Sequence, residues 1–170
     1  KATGALTQLP GTAGCVSDDG TGGLCADGRA LLGAQSVALS PDGSHVYVTS
    51  VSSSAIAVFA RDKATGALTQ LPGTAGCVSE TGFLNAQSVW AGETKGSVWA
   101  ARTKELCAPG RALWNAHSVA VSPDGGHVYV VSGSTAAIAL FARDKATGAL
   151  TQLPGTAGCV NETEPYRLVP

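Results

Sequence analysis

The sequence predicts an all-β fold made of repeated four-stranded antiparallel units, and three observations carry that prediction. Glycine supplies 22 of the 170 residues, while charged residues make up 14% and aromatics 5%, a composition suited to short strands and tight turns rather than long amphipathic helices. The hydrophobic fraction of 44% is enough for one domain with a core. The string KATGALTQLPGTAGCV occurs at 1–16, 63–78 and 145–160 without a single difference. Such identity points to recent duplication or design, and it makes the period the first thing to read.

The elements of the unit follow in order. The related stretches AQSVALSPDGSHVYVTSVSSSAIAVFARD (34–62) and AHSVAVSPDGGHVYVVSGSTAAIALFARD (116–144) stand before the second and third copies. Residues 36–39 are a short apolar strand, and Ser40-Pro41-Asp42-Gly43 has Pro and Gly where a tight turn requires them. Residues 45–49 alternate as a second strand and 55–60 form an apolar third. A charged turn then ends in Gly66, and residues 67–71 supply the fourth strand. Helical repeats are excluded, because apolar residues at three- and four-residue spacing do not persist between the Gly-bearing turns. Four short antiparallel strands repeated at this spacing form the blade of a β-propeller, a radial arrangement that protects sheet edges.

SPDGSHVYVTS and SPDGGHVYVVS resemble the YVTN family of β-propeller repeats, which shares its blade pattern with lactonase-like propellers. The resemblance covers nearly the whole chain. It implies blades around a central channel, with the first strand of each blade innermost, and it implies no single activity.

The array is incomplete. Blades are expected at 33–72 and 115–154, a half blade at 85–102, where the SPDG turn is replaced by Gly92-Glu93-Thr94-Lys95, and an orphan fourth strand at 1–10. The whole of 1–170 reads as one repeat domain. Closed propellers typically need four to eight blades, so copies assemble, the chain is an excerpt of a longer array, or the orphan strand repairs the half blade.

Five cysteines fall at equivalent repeat positions. Pairing Cys15 with Cys25 and Cys77 with Cys107 would staple the two loops that follow a fourth strand, as expected in an oxidising compartment, and so for a secreted, surface or periplasmic protein. Cys159 is left over, its partner lying in a continuation or in another chain. The spacing is not that of zinc ligands. The Ser17-Asp18-Asp19-Gly20-Thr21-Gly22-Gly23 loop could suit calcium, but the second copy carries Ser79-Glu80-Thr81-Gly82 instead of the paired Asp, and a solvated loop explains both. No metal or other cofactor is expected.

Chemistry is weakly signalled. His45 and His127 recur with the repeat, so half-exposed strand positions explain them better than catalysis. His117 replaces Gln35 and Gln87 before a first strand. With Arg111 and Asn115 it makes a weak catalytic candidate at the channel mouth, should the chain hydrolyse lactones. Trp90, Trp99 and Trp114 lie outside the shared pattern and are candidate contacts for a sugar or peptide, although Trp90 and Trp99 also suit the filling of space beside missing strands. Asn161-Glu162-Thr163 matches a glycosylation sequon, a short motif that often occurs by chance. The near-neutral charge, 11 basic against 12 acidic residues, argues against nucleic acid, and no apolar run could cross a membrane. The leading expectation is a noncatalytic secreted or surface module for binding or structural assembly, its partners being further copies or blades, or a protein or carbohydrate ligand. The alternatives are a lactonase-like hydrolase and a fragment without independent function.

Overall fold

A computed structural model describes residues 5–80 and 107–161. Its strands are β1 (Val16–Ser17), β2 (Ala26–Asp27), β3 (Ala34–Leu39), β4 (His45–Ser50), β5 (Ala55–Arg61), β6 (Leu68–Gln70), β7 (Cys77–Glu80), β8 (Ala108–Gly110), β9 (Ala116–Val121), β10 (His127–Ser132), β11 (Ala137–Arg143), β12 (Leu150–Gln152) and β13 (Cys159–Asn161). Among the described residues there is no α-helix, only four-residue 3-10 turns. The half blade at 85–102, with Trp90 and Trp99, lies outside the described residues.

Two antiparallel sheets resembling propeller blades are present: β3-β4-β5-β6 and β9-β10-β11-β12. The Ser-Pro-Asp-Gly turns close the first hairpin of each. Gly43 N–H donates to the Ser40 carbonyl at 2.8 Å, and Ser40 Oγ accepts from His45 N–H at 2.9 Å. Gly43 has φ +70°, a conformation that favours glycine. The Asp62 turn between β5 and β6 is held by the Asp62 carboxylate, which accepts from the amides of Ala64 and Thr65 at 2.8 and 2.9 Å. Those amides also hold the Asp62 carboxyl below its usual pKa.

The fourth strand differs from the expectation of one run over 67–71. It is split: β6 pairs with the end of β5 (Phe59↔Gln70 to Arg61↔Leu68), a 3-10 turn at Gly73–Gly76 interrupts it, and β7 resumes on the start of β5 (Ala57↔Cys77 to Ala55↔Ser79). The second blade repeats this with β12, Gly155–Gly158 and β13. The interruption is local chemistry. Gln70 Nε2–H donates to the Gly76 carbonyl at 3.0 Å across the turn, and Gln8 and Gln152 do the same to Gly14 and Gly158.

Cys77 therefore opens a strand rather than bounding a loop. The expected disulfides Cys15–Cys25 and Cys77–Cys107 are both present, and Cys159 is free. Each bond stands at the head of a short parallel pair, β1 with β2 and β7 with β8.

Of the expected orphan fourth strand at 1–10, residues 1–4 lie outside the described residues. Residues 5–10 are in no strand, although they contain the same Leu-Thr-Gln as β6 and β12. The reason is that β6 and β12 owe their pairing to β5 and β11, and no third strand lies beside residues 5–10 among the described residues.

The blades pack face against face. Tyr47, Ile56, Val58 and Val78 from one side of the first blade meet Leu113, Val119, Val128, Val130, Ala139 and Phe141 from the opposite side of the second. The innermost strands β3 and β9 are neighbours across this seam. Burial of each large apolar side chain there contributes about 1.5–3 kcal/mol.

Replacing Gly76 with Ala places a Cβ on the Leu71 carbonyl oxygen and the Arg29 guanidinium, whereas Gly73, at φ +55°, faces open space. Urea unfolding should show Gly76→Ala losing more than about 2 kcal/mol, and Gly73→Ala only the roughly 1–2 kcal/mol of left-handed strain. Equal losses would contradict this account of the turn.

Candidate functional site

The most concentrated polar chemistry among the described residues lies at the seam, around a buried guanidinium. Arg143, at the end of β11, donates from Nε to the Tyr47 hydroxyl at 2.6 Å, from Nη1 to the Gly125 carbonyl at 3.0 Å and from Nη2 to His45 Nδ1 at 2.8 Å. Asp42 lies 3.5 Å from Nη2. The Tyr47 hydroxyl donates onward to the Gly148 carbonyl at 2.9 Å. A guanidinium carries only donors, so His45 Nδ1 must accept, which fixes the ring as the neutral Nε2–H tautomer. Burial, and then the Arg143 charge, push the His45 pKa below its ordinary 6.5. The hydroxyl of Ser40 leads the interactions that hold the Asp42 carboxyl well below the usual range. This cluster binds two blades together. A Cβ on Gly148 would overlap the His45 ring.

His45 is therefore buried, not half-exposed as the alternation suggested, while His127, its counterpart in the second blade, is exposed.

A second recurring device holds the approach to each blade. The Arg29 and Arg111 amides donate to the Gln70 and Gln152 side-chain oxygens at 3.0 Å in both copies. The Arg111 guanidinium donates to the carbonyls of Leu153 and Gly155 at 3.2 and 2.6 Å, and Arg29 reaches Leu71 and Gly73 in the same way. The candidate Arg111 is thus engaged on the outer strand of its own blade. Asn115 and His117 come together against the backbone of Gly133. Asn115 has φ +61°, where Gly33 stands in the first blade at +70°, so its residue type answers a backbone requirement that Asn tolerates. Trp114 is partly exposed on the same approach segment. Among the described residues no three of His, Cys, Asp and Glu converge as metal ligands.

The outer face of the second blade carries an open hollow of ≈ 490 Å³ lined by Val131, Ser132, Gly133, Ile138, Val160 and neighbours. At the corresponding place on the first blade, the approach segment of the second is seated: Asn115 N–H donates to Ser54 Oγ at 3.2 Å, and Leu113 N–H to the Glu80 carboxylate. Sequence reasoning missed the seam and the hollow, because both depend on which neighbour a blade has.

No protein-family profile matches the chain, and no curated protein does. Among solved structures, a Bacteroides fragilis protein assigned as a 6-phosphogluconolactonase is 22% identical with a TM-score of 0.45, the match covering 74% of this chain and 26% of that one. The periplasmic gluconolactonase of Pseudomonas aeruginosa is 21% identical with a TM-score of 0.44, over 76% of this chain and 28% of its own. An auxiliary nutrient binding protein of Bacteroides ovatus is 19% identical with a TM-score of 0.38, over 81% and 26%. The chain thus spans about a quarter of the length of these structures.

A depressed His45 pKa means that the unfolded chain binds a proton that the folded chain refuses. Stability is then complete above about pH 6.5 and falls as pH drops from there toward the folded-state value. Chemical denaturation between pH 7.5 and about 5 should show that loss, and His45→Gln should flatten the slope. An unchanged slope in the variant would contradict the buried neutral ring.

Proposed function

We propose that this chain is a noncatalytic repeat module that acts by binding and assembly through its blade faces. The carrying observation is that Val37, Leu39, Tyr129, Val131, Ile138 and Val160 are exposed on the two outward sheet faces. Apolar side chains grouped on an open face mark an interaction site more often than chance exposure does. The two disulfides belong to an oxidising compartment, and we assign the module to the periplasm, the cell surface or the medium. Trp114 on the approach segment offers a stacking face for a carbohydrate or peptide as a secondary contact.

The lactonase-like alternative draws its support from the adjacency of His117 and Asn115 at Gly133. It is weakened by Arg111, whose donors are directed at the Leu153 and Gly155 carbonyls instead of toward that pair. Lactone hydrolysis needs an acidic or imidazole base beside groups that polarise the carbonyl.

The test is hydrolysis of gluconolactone and its 6-phosphate by the intact chain and by His117→Gln. The binding reading predicts no turnover above the uncatalysed rate from either protein. Turnover that falls tenfold or more in His117→Gln, with the melting temperature preserved, would overturn it.

A further inference from the structure

We propose that the partner of the two open faces is a second copy of this chain, docked head to tail so that the outer face of the second blade seats on the outer face of the first blade of the next copy. This rests on the assembly reading above and specifies its geometry.

The internal seam is the template. Four side chains that it buries have counterparts, at the same blade position, on an open face. Tyr47 is 0% exposed and Tyr129 37%; Ile56 is 0% and Ile138 43%; Val78 is 3% and Val160 63%; Val119 is 8% and Val37 67%. The first three pairs lie on the face that a blade turns toward the blade after it, its leading face, and the last on the opposite, trailing face, so what one end of the molecule exposes is the complement of what the other end exposes. The polar cluster divides in the same way. Arg61 repeats the bond of Arg143 to a turn carbonyl, donating to Gly43 O at 3.2 Å. The counterparts of its remaining seam partners, Asp124, His127 and Tyr129, stand on the far face. Docking places the Arg61 cation of one copy against the Asp124 carboxylate and Tyr129 hydroxyl of another, the arrangement that Arg143, Asp42 and Tyr47 already form. Such a contact is heterologous and propagates.

One position is claimed twice. The place that Cys77 and Val78 hold at the internal seam is filled, on the open face of the first blade, by Cys15 and Val16, with Asp18 accepting from Leu31 N–H at 3.1 Å. A docked copy brings Cys159 and Val160 to the same place. The weaker tenant is the first segment: residues 5–10 are in no strand and β1 pairs over two residues, whereas β12 and β13 are laddered onto β11 over three residues each. Cys159 therefore replaces Cys15 on Cys25 of the second copy. The Cys159 thiol loses its proton to solvent and its thiolate attacks Cys25 Sγ. The Cys159–Cys25 bond forms, the Cys15–Cys25 bond breaks with its electron pair on Cys15, and Cys15 takes up a proton. One thiol and one disulfide go in and one of each comes out, so no oxidant is needed.

The experiment uses Val37→Asp, which blocks the trailing face, and Ile138→Asp, which blocks the leading face. Both sites are exposed, so both proteins should keep the wild-type melting temperature. Sedimentation over a concentration series should show wild type associating, each variant monomeric, and their equimolar mixture forming a heterodimer. With the Val37→Asp chain ¹⁵N-labelled, nonreducing peptide mapping should find its Cys159 joined to Cys25 of the Ile138→Asp chain. A monomeric wild type, a monomeric mixture, or a link through Cys159 to Cys159 would overturn the proposal, and the wild-type sedimentation and peptide map decide the matter if either variant fails to fold. Failure here with no lactone turnover leaves the noncatalytic reading standing. Turnover abolished by His117→Gln would instead remove the reading itself.

Discussion

The structure depends on one buried charge. Arg143 is sealed between two sheets, and a guanidinium there destabilises the fold unless its donors are answered. Three hydrogen bonds and one carboxylate answer it, with Tyr47, His45 and Asp42 coming from the neighbouring blade. The requirement fixes how the blades meet: a slip of one residue along β4 would turn Tyr47 and His45 to the opposite face. The apolar seam around Tyr47, Ile56, Phe141 and Val128 adds the burial of large side chains, and the polar cluster sets its register.

Behind each blade the same logic operates at lower stakes. Arg29 and Arg111 fasten the approach segment to carbonyls freed by the broken outer strand, and Gln70 and Gln152 bond both to that segment and to the turn. The break is therefore a socket. It lets one side chain satisfy groups that an unbroken strand would have paired with a neighbour, and it carries the chain to the cysteine that joins one blade to the next.

Much of this was legible in the sequence. The repeated SPDG turns, the alternation of His45 to Thr49 and the apolar run of β5 gave the blades, and the equivalence of the cysteines gave both disulfides. The split fourth strand was not legible, since Leu-Pro-Gly-Thr-Ala-Gly reads as the end of a strand and hides its resumption at Cys77. Nor was the seam, because His45 and His127, or Arg61 and Arg143, stand in nearly identical sequences and differ only in what lies across from them. Arg111 and Asn115 drew notice as polar residues near an expected channel. Their backbone and bonding duties, a clamp and a left-handed φ, become visible only when distant segments are placed together.

Arg143 and Tyr47 act as a pair across the seam, and a double-mutant cycle with Tyr47→Phe and Arg143→Gln measures their coupling directly. The repeat provides its own control in Tyr129→Phe and Arg61→Gln, whose side chains lie on opposite outward faces of a single chain. In dilute solution the account predicts a coupling of about 1–3 kcal/mol for the seam pair and additivity within about 0.5 kcal/mol for the control pair. Additive losses at Tyr47 and Arg143 would contradict it, and the two blades would then be held by apolar contact alone.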